Sequence, residues 1–556
     1  MSSHRVLFFP SLVLLPFLAV ASQAIACGDP AAPPAAGAGA EVDAGTQPEE
    51  DGSTAVSDGS VRRDGGPDAA RPDSGRPDAS AGPVPLDESC GLAPVASPDG
   101  TAIVFERCDT PRSLVMRNIA SNTATVLGTG ANSWRRRLQD GLLVYVDGQT
   151  RFFGWDGLPK YALPVYVDGD NNWRVNVGTG EMRYARQEAV AGGAGTHQER
   201  FAFLLSGSAT PVLSAQFTAQ NPTVPNVVLS ADGTYAASIE RYSSGLTSRL
   251  RVAAVAADAP VTTYELPYFE PRWVPNGVVG GGAIFTSQRY LYFADFATGA
   301  VTALSTLPVV ADSSKPDRVY AAVAGQYVLF VNGTMRKNGS SAPGSYALQR
   351  WDSSAPSTPP VTQATGTDYV SPYAETPLTV LPDGATVAYA MERPSVIAGT
   401  AYHAAPIAGG ADRVFANEKA VSFGRPALAL WTDYSVITAV KSRVENLADG
   451  TFRDLPRAPT ASHYPFSGAD GTTLFLVTTI RNDTAKTASL KLETTGFSGP
   501  MVTLLDLPQS ARLFDMNLTT WEPFYRADAV PLVDGIVLRI PRGSPSVVGD
   551  LFVYRR

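Results

Sequence analysis

Helical periodicity is nearly missing from this sequence, and so are the residues from which most metal and enzyme sites are built. The chain of 556 residues holds 3 cysteines and 4 histidines. Beyond the first turn of sequence the histidines are His197, His403 and His463, too scattered to pair with one another or with a cysteine at zinc-ligand spacing. No Gly-x-Ser-x-Gly elbow occurs. Gly496-Phe497-Ser498-Gly499-Pro500 comes nearest and lacks the final glycine and a following helix, which argues against a hydrolase domain. Gly280-Gly281-Gly282 has no Lys-Ser/Thr behind it, so a phosphate-cradling loop is excluded too. No metal and no cofactor is expected.

A basic excess is also lacking. The net charge is −8. Residues 28–89 carry 13 acidic and 4 basic side chains, or −9, and Arg5 adds +1, which leaves 90–556 electrically balanced. A nucleic-acid surface needs concentrated positive charge, so that partner is excluded. The one basic run, Arg135-Arg136-Arg137, reads as a solvated strand or turn edge.

Long apolar runs are limited to residues 6–21, preceded by His4 and Arg5 and followed by Ser22-Gln23-Ala24-Ile25-Ala26-Cys27. A basic start, an apolar stretch and small residues are the parts of a secretory signal. The run contains Pro10 and Pro16 and falls short of the roughly 20 residues of a spanning helix, so residues 1–26 are expected to be a signal peptide. Ala24-Ile25-Ala26-Cys27-Gly28 resembles the lipobox of bacterial lipoproteins, which usually carries leucine where this chain has Ala24. The resemblance implies acylation of Cys27, with Gly28 permitting transfer to an outer membrane. Cleavage by the ordinary signal peptidase, giving a secreted protein, is the alternative.

Residues 27–89 are almost entirely Ala, Gly, Pro, Asp, Glu and Ser, with Arg71-Pro72-Asp73-Ser74-Gly75 nearly echoed by Arg76-Pro77-Asp78-Ala79-Ser80. Such a composition cannot bury enough apolar surface to offset its ordering entropy, and it is expected to be a disordered tether.

From Cys90 onward, short runs rich in Val, Tyr, Phe, Leu and Thr alternate with Gly, Asp, Asn and Pro, the pattern of strands joined by tight turns. A polar turn ending in Asp-Gly recurs as Ser97-Pro98-Asp99-Gly100, Ser230-Ala231-Asp232-Gly233, Leu381-Pro382-Asp383-Gly384 and Gly468-Ala469-Asp470-Gly471, with a looser copy at Gln139-Asp140-Gly141. Asp and Gly accept the backbone angles of a hairpin turn. The spacings are multiples of about 41 to 46, the period of four-stranded propeller blades. Asn276-Gly277 and the strand Tyr327-Val328-Leu329-Phe330 fall near missing steps, and residues 356–367 read as a long polar loop. A second hairpin recurs at residues 290–304 and 114–127.

Ser97-Pro98-Asp99-Gly100-Thr101-Ala102-Ile103-Val104-Phe105 and the hairpin at 291–304 resemble the repeat of TolB-like propellers, where the hairpin forms the two outer strands. The resemblance implies architecture and not role. The expected fold is all-β: a multi-bladed β-propeller of seven or eight blades over residues 90–500. Residues 501–556 are expected to close it or to form a small β-sheet or sandwich, with preference for the latter. That end weakly resembles the β-sandwich closing many glycoside hydrolases. Cys90 and Cys108 lie almost symmetrically about the Pro98-Asp99 turn. They are expected to face each other across a hairpin as a disulfide in an oxidising compartment.

Chemistry is thinly signalled. Residues 168–172 (Asp-Gly-Asp-Asn-Asn) alternate oxygen ligands as a calcium loop would, but lack its glycine and terminal glutamate, and read as a turn. Glu270, Glu392 and Glu522 are conceivable glycosidase carboxylates. Trp134, Trp155, Trp173, Trp273, Trp351, Trp431 and Trp521 read as packing between blades, with sugar stacking as the alternative. The reading adopted is a monomeric, non-enzymatic cell-envelope protein, anchored to a membrane by its lipid, facing periplasm or cell surface and binding an envelope protein or polysaccharide. The competing reading is a carbohydrate-active enzyme with a C-terminal accessory domain.

Overall fold

The computed structural model describes residues 83–555 apart from short stretches, of which 310–318, 335–342 and 519–527 are the longest. Cys27, the expected signal peptide and nearly all of the expected tether lie outside the described residues.

The Asp-Gly turns act as hinges between the first and second strands of a sheet. At the first of them, Asp99 Oδ1 accepts from the Ser97 hydroxyl (2.5 Å) and from the Thr101 backbone N–H (3.1 Å), while the Ala102 N–H donates to Ser97 Oγ at 2.9 Å. Ser230, Asp232 and Thr234 repeat this arrangement, with Ser230 Oγ donating to Asp232 at 2.6 Å. Burial works against the charged form of Asp99 most strongly, but the donated hydrogen bonds outweigh it and hold the carboxyl below its usual range. Gly100 has φ of +69°, and a Cβ there would stand 2.6 Å from the backbone nitrogen of Val533. Only glycine satisfies both the angle and the close approach.

Among the described residues ten antiparallel sheets result, eight of four strands and two of five. In chain order, sheets 1 to 9 occupy residues 95–129, 135–163, 173–219, 228–266, 272–303, 321–366, 369–417, 422–455 and 461–510. Sheet 10 is composite: Ala529–Pro531, Gly535–Pro541 and Val548–Arg555 come from the C-terminal end, and Val84–Cys90 pairs antiparallel with the last of them. Second strands such as Gly282–Ser287 and Thr386–Glu392 are fully buried, whereas fourth strands such as Val361–Gly366 and Val502–Ser510 are largely exposed. First strands of successive sheets adjoin one another, which places them around the lumen of the propeller.

The core is a closed succession of sheet-to-sheet seams. Ile103 and Val115 of sheet 1 pack with Val537 and Leu551 of sheet 10. Phe475 and Leu490 of sheet 9 pack with Ile536 and Leu538 on the other side of that same sheet. Equivalent apolar clusters join every other neighbouring pair. Each fully buried large side chain, Trp351, Phe285 and Phe330 among them, stabilises its seam by roughly 1.5–3 kcal/mol.

Several expectations need correction. The propeller has ten sheets, not seven or eight: nine of them share residues 95–510, at about 46 residues apiece, and the tenth is assembled from both ends of the described chain. The strands after residue 501 form no separate sandwich, because Val502–Ser510 is the outer strand of sheet 9 and the rest complete the ring. The tether stops short of residue 89, since Val84–Cys90 is a strand whose backbone bonds are satisfied by Val548–Arg555. Finally, residues 356–367 contain the strand Val361–Gly366. Tyr327–Gly333 is indeed a second strand, and residues 290–304 and 114–127 do hold third and fourth strands.

Cys90 and Cys108 form a disulfide, with sulfurs 2.04 Å and Cα atoms 5.1 Å apart. They do not share a hairpin. Cys90 ends a strand of sheet 10 and Cys108 follows the second strand of sheet 1, so the bond staples the seam at which the ring closes. Among the described residues no helix is long and apolar enough to cross a membrane.

Candidate functional site

Sheet 5 begins with Arg272–Val279, whose register against the next strand slips between Trp273 and Val278. The extra residues form a bulge in this strand. Asn276 takes φ of +54° there, an angle that asparagine tolerates better than most residues. A Cβ on Gly277 would stand 2.7 Å from the Val274 carbonyl oxygen, so the residue behind it must be glycine. Asn276-Gly277 is therefore a bulge inside a strand and not the hairpin turn its sequence suggests. The turn of this sheet falls at Gly280-Gly281 instead.

The bulge brings Asn276 to Arg136, whose Nη2 donates to Asn276 Oδ1 at 3.0 Å. Arg136 is the middle residue of Arg135–Arg137, the first strand of sheet 2. Its guanidinium lies 5.2 Å from the ring centre of Trp173, which opens the first strand of sheet 3. The next residue, Arg174, donates through Nη1 to the Trp173 carbonyl at 2.5 Å and through Nη2 to the Leu229 carbonyl of sheet 4 at 2.8 Å. Side chains thus tie together the inner strands of four successive sheets. They line an open pocket of about 380 Å³ bordered by Arg136, Arg174, Asp140 and Asn276, with Phe152 and Val278 on its apolar side. Burial, and after it the positive charge of Arg136, pull the Arg174 pKa down to about 10, so the group remains cationic at neutral pH. Arg135–Arg137 is an edge strand, as expected, and its half-buried Arg136 lines this pocket.

A second polar cluster lies between sheets 6 and 7. His403 is buried, with Nε2 3.2 Å from Asp368 Oδ2 and Nδ1 3.1 Å from Asp412 Oδ2. Tyr346 donates its hydroxyl to Asp412 at 2.9 Å, and the Tyr389 ring stacks on the imidazole with centroids 5.0 Å apart. Burial is the largest influence on His403 and disfavours its charge, but the hydrogen bonds and charges of both aspartates prevail and the pKa is raised. Asp412 shows the mirror image: burial opposes its ionisation, His403 and the tyrosines favour it, and its pKa is lowered. An imidazole held between two carboxylates and packed against aromatic rings thus joins two sheets.

The other sequence candidates are dispersed. Glu392 is buried in the second strand of sheet 7, while Glu270 and Glu522 lie outside the described residues. Residues 166–171, most of the calcium-loop candidate, also lie outside them, as do Trp134 and Trp521. His197 begins the strand His197–Leu205 of sheet 3, and His463 Nδ1 is 3.1 Å from Thr478 Oγ1 in sheet 9. Among the described residues no three His, Cys, Asp or Glu side chains converge as metal ligands. Trp351 packs on Phe293 across a seam at 4.8 Å, and Trp273 meets Phe285 and Phe296 edge-on. Trp155 donates to the Leu138 carbonyl at 3.3 Å, and Trp431 stands in Leu428–Asp433 of sheet 8. Sequence reasoning missed Arg174 and Asn276, because one looks like an ordinary strand residue and the other like an ordinary turn.

No family model matches the chain, and no curated protein sequence matches it. Among solved structures it is similar to the tricorn protease, at 12% identity over 75% of this chain and 44% of that one, with a TM-score of 0.26. It is similar to a puromycin-hydrolyzing peptidase of Mycobacterium tuberculosis, at 13% identity over 66% and 61% of the two chains and a TM-score of 0.28. TolB from Acinetobacter baumannii is similar at 11% identity over 59% and 81%, with a TM-score of 0.21. The chain spans less than half the length of the tricorn protease and 61% of the peptidase. Likenesses this distant carry no functional argument, and the fold rests on its own strand pairing.

Proposed function

We propose that this chain is an exported envelope protein, held to a membrane through a lipid on Cys27, whose propeller is a binding module for an envelope protein or polysaccharide. The observation that supports the binding reading is the lumenal pocket, where residues of four sheets line one space of about 380 Å³ and three of those sheets contribute polar side chains, Arg136, Asp140, Arg174 and Asn276. Propeller frames hold such positions rigidly while tolerating changes in the residues displayed. The Cys90–Cys108 disulfide suits an oxidising compartment, which supports export. The Ala24-Ile25-Ala26-Cys27-Gly28 segment supports acylation, and the Pro/Gly/Asp-rich residues that follow suit a spacer.

Two measurements test this. Growth with an alkyne-tagged fatty acid is expected to label the full chain and not Cys27→Ala; equal labelling, or none in either, overturns the anchor. Incubation with envelope extract and a panel of envelope polysaccharides is expected to give stable capture. Release of reducing ends from any polysaccharide would instead establish the carbohydrate-active reading.

A further inference from the structure

We infer that Asn276-Gly277 is a self-modifying site: in the folded chain the Asn276 side-chain amide is converted to a carboxylate through a succinimide, with the Arg136 guanidinium assisting at the reacting carbonyl. The inference stands apart from the binding-module reading and holds whatever the pocket binds.

The sequence offers this chemistry at three places, Asn276-Gly277, Asn332-Gly333 and Asn338-Gly339, the last of which lies outside the described residues. In each, the residue after asparagine has no Cβ to keep its backbone nitrogen away from the asparagine side chain. Sequence alone ranks them equally. The structure separates the two it describes.

Asn332 is buried and fully engaged. Its Oδ1 accepts from the Leu307 N–H at 2.7 Å, and its Nδ2 donates to Thr306 Oγ1 at 3.0 Å and to Gln349 Oε1 at 3.3 Å. Asn332 and Gly333 also stand in regular register opposite Ala347 and Tyr346. Turning that side chain onto the next peptide nitrogen would break these bonds inside the core. Asn276 is exposed, and among the described residues its side chain makes one hydrogen bond, accepting at Oδ1 from Arg136 Nη2 at 3.0 Å. Asn276 and Gly277 fall between Trp273 and Val278, where the register slips, so neither has a partner residue in the ladder.

The bond that Asn276 does make lies at the reacting atom. The first step is attack of the deprotonated Gly277 backbone nitrogen on Asn276 Cγ. An N–Cγ bond forms, the carbonyl electron pair moves onto Oδ1, and the Arg136 N–H aimed at that oxygen stabilises its negative charge. Collapse expels Nδ2, which takes a proton from water and leaves as ammonia, and the succinimide ring is closed. Water then opens the ring at either carbonyl, giving aspartate or isoaspartate. The sum is amide plus water giving carboxylic acid plus ammonia, with no oxidant and no cofactor.

The aspartate product sets a carboxylate against Arg136 in a charge-assisted bond and adds negative charge to the border of the pocket. Isoaspartate would instead insert a methylene into the main chain beside Gly277, where a Cβ would already stand 2.7 Å from Ile284 Cγ1 and from the Val274 carbonyl oxygen. The folded chain is therefore expected to yield a larger share of aspartate than an unfolded one.

The full chain would be incubated at neutral pH and physiological temperature and then digested. Mass spectrometry would follow conversion of amide to acid in the peptides carrying residues 276 and 332, with isoaspartate counted by an isoaspartate-specific methyltransferase. Synthetic peptides of the two segments supply the unfolded rates. In the folded chain Asn276 is expected to convert at least about tenfold faster than Asn332, which must wait for its seam to open. Asn276 is also expected to convert at least as fast as its own peptide, because only the folded chain presents Arg136. Arg136→Met, with an unchanged melting temperature, is expected to slow Asn276 roughly fivefold and to leave Asn332 as it was. Should that variant fail to fold, the comparison of chain with peptide decides without it. Equal rates at Asn276 and Asn332, an Asn276 slower in the chain than in its peptide, or a folded Arg136→Met that is no slower overturns the inference.

Discussion

Arg136 and Asn276 meet at 3.0 Å although they belong to sheets 2 and 5 and stand 140 residues apart. Sheets 3 and 4 lie between them in the ring, so the hydrogen bond spans a sector of the lumen. The contact depends on a bulge that no regular strand would make, and it forms one side of an open pocket.

That bulge has a measurable price in backbone angle. Asn276→Ala removes the hydrogen bond and puts a Cβ-bearing, non-polar residue at φ of +54°. It is expected to cost about 1–2 kcal/mol. Asn276→Gly loses the same bond but relaxes the angle and should cost less. Urea denaturation of both variants checks the order; alanine proving no worse than glycine would contradict the geometry.

Gly100 and Gly384 have nearly the same φ, +69° and +65°, in equivalent Asp-Gly hinges. Around Gly384 a Cβ would meet nothing within 4 Å, whereas at Gly100 it would stand 2.6 Å from the backbone of Val533. Gly384→Ala is expected to cost about 1 kcal/mol, the conformational penalty alone. Gly100→Ala should cost at least about 2 kcal/mol more, because the seam between sheets 1 and 10 must part to admit the methyl group. Thermal melts of the two variants would show the difference directly.

The Cys90–Cys108 bond closes a loop of 18 residues and links the composite sheet to its neighbour. Replacing both cysteines with serine is expected to remove about 3 kcal/mol. The loss should be localised: amide exchange is expected to accelerate first in Val84–Cys90 and Val548–Arg555, the strands that zip the ring shut. Uniform acceleration over all ten sheets would argue against a seam held by this bond.

The His403 cluster sets a pH window. The His403 pKa is raised above 6.5, so its contribution is complete below about pH 6.5 and is lost as pH rises through the raised value. The Asp412 pKa is lowered below 3.8, so its contribution is present above that value and fades as pH falls through the depressed one. The cluster therefore stabilises most between about pH 4 and 6.5. His403→Asn is expected to cost about 2 kcal/mol at pH 5.5 and less at pH 8.5, since a hydrogen-bonding ring remains in the wild type when the charge is gone. A penalty that does not change with pH would mean the imidazole is neutral throughout.

Much of the architecture was legible in advance. Asp99, Asp232, Asp383 and Asp470 each accept backbone and hydroxyl hydrogen bonds from residues two or three places on, a local device that any reader of turns can identify. The blade number was not legible, because sheet 10 takes one strand from residues 84–90 and three from residues 529–555. Counting along a chain cannot register a sheet assembled from two distant pieces. The same limit applies to the disulfide. Its partners could be paired by symmetry about a turn, yet which sheets it joins followed from ring closure.

At the cavity the division is sharper. Arg136 was visible only as part of a basic run, Arg174 as one residue of an alternating strand, and Asn276-Gly277 as a turn. Local chemistry determined from sequence alone that strands form, where they hinge and that side chains alternate between sheet faces, since these depend on neighbours a few positions apart. Tertiary structure decided that ten sheets close and that four inner strands converge on one space. It also decided which of many ordinary arginines faces another, because those outcomes depend on seams between segments that meet only when every sheet has found its place.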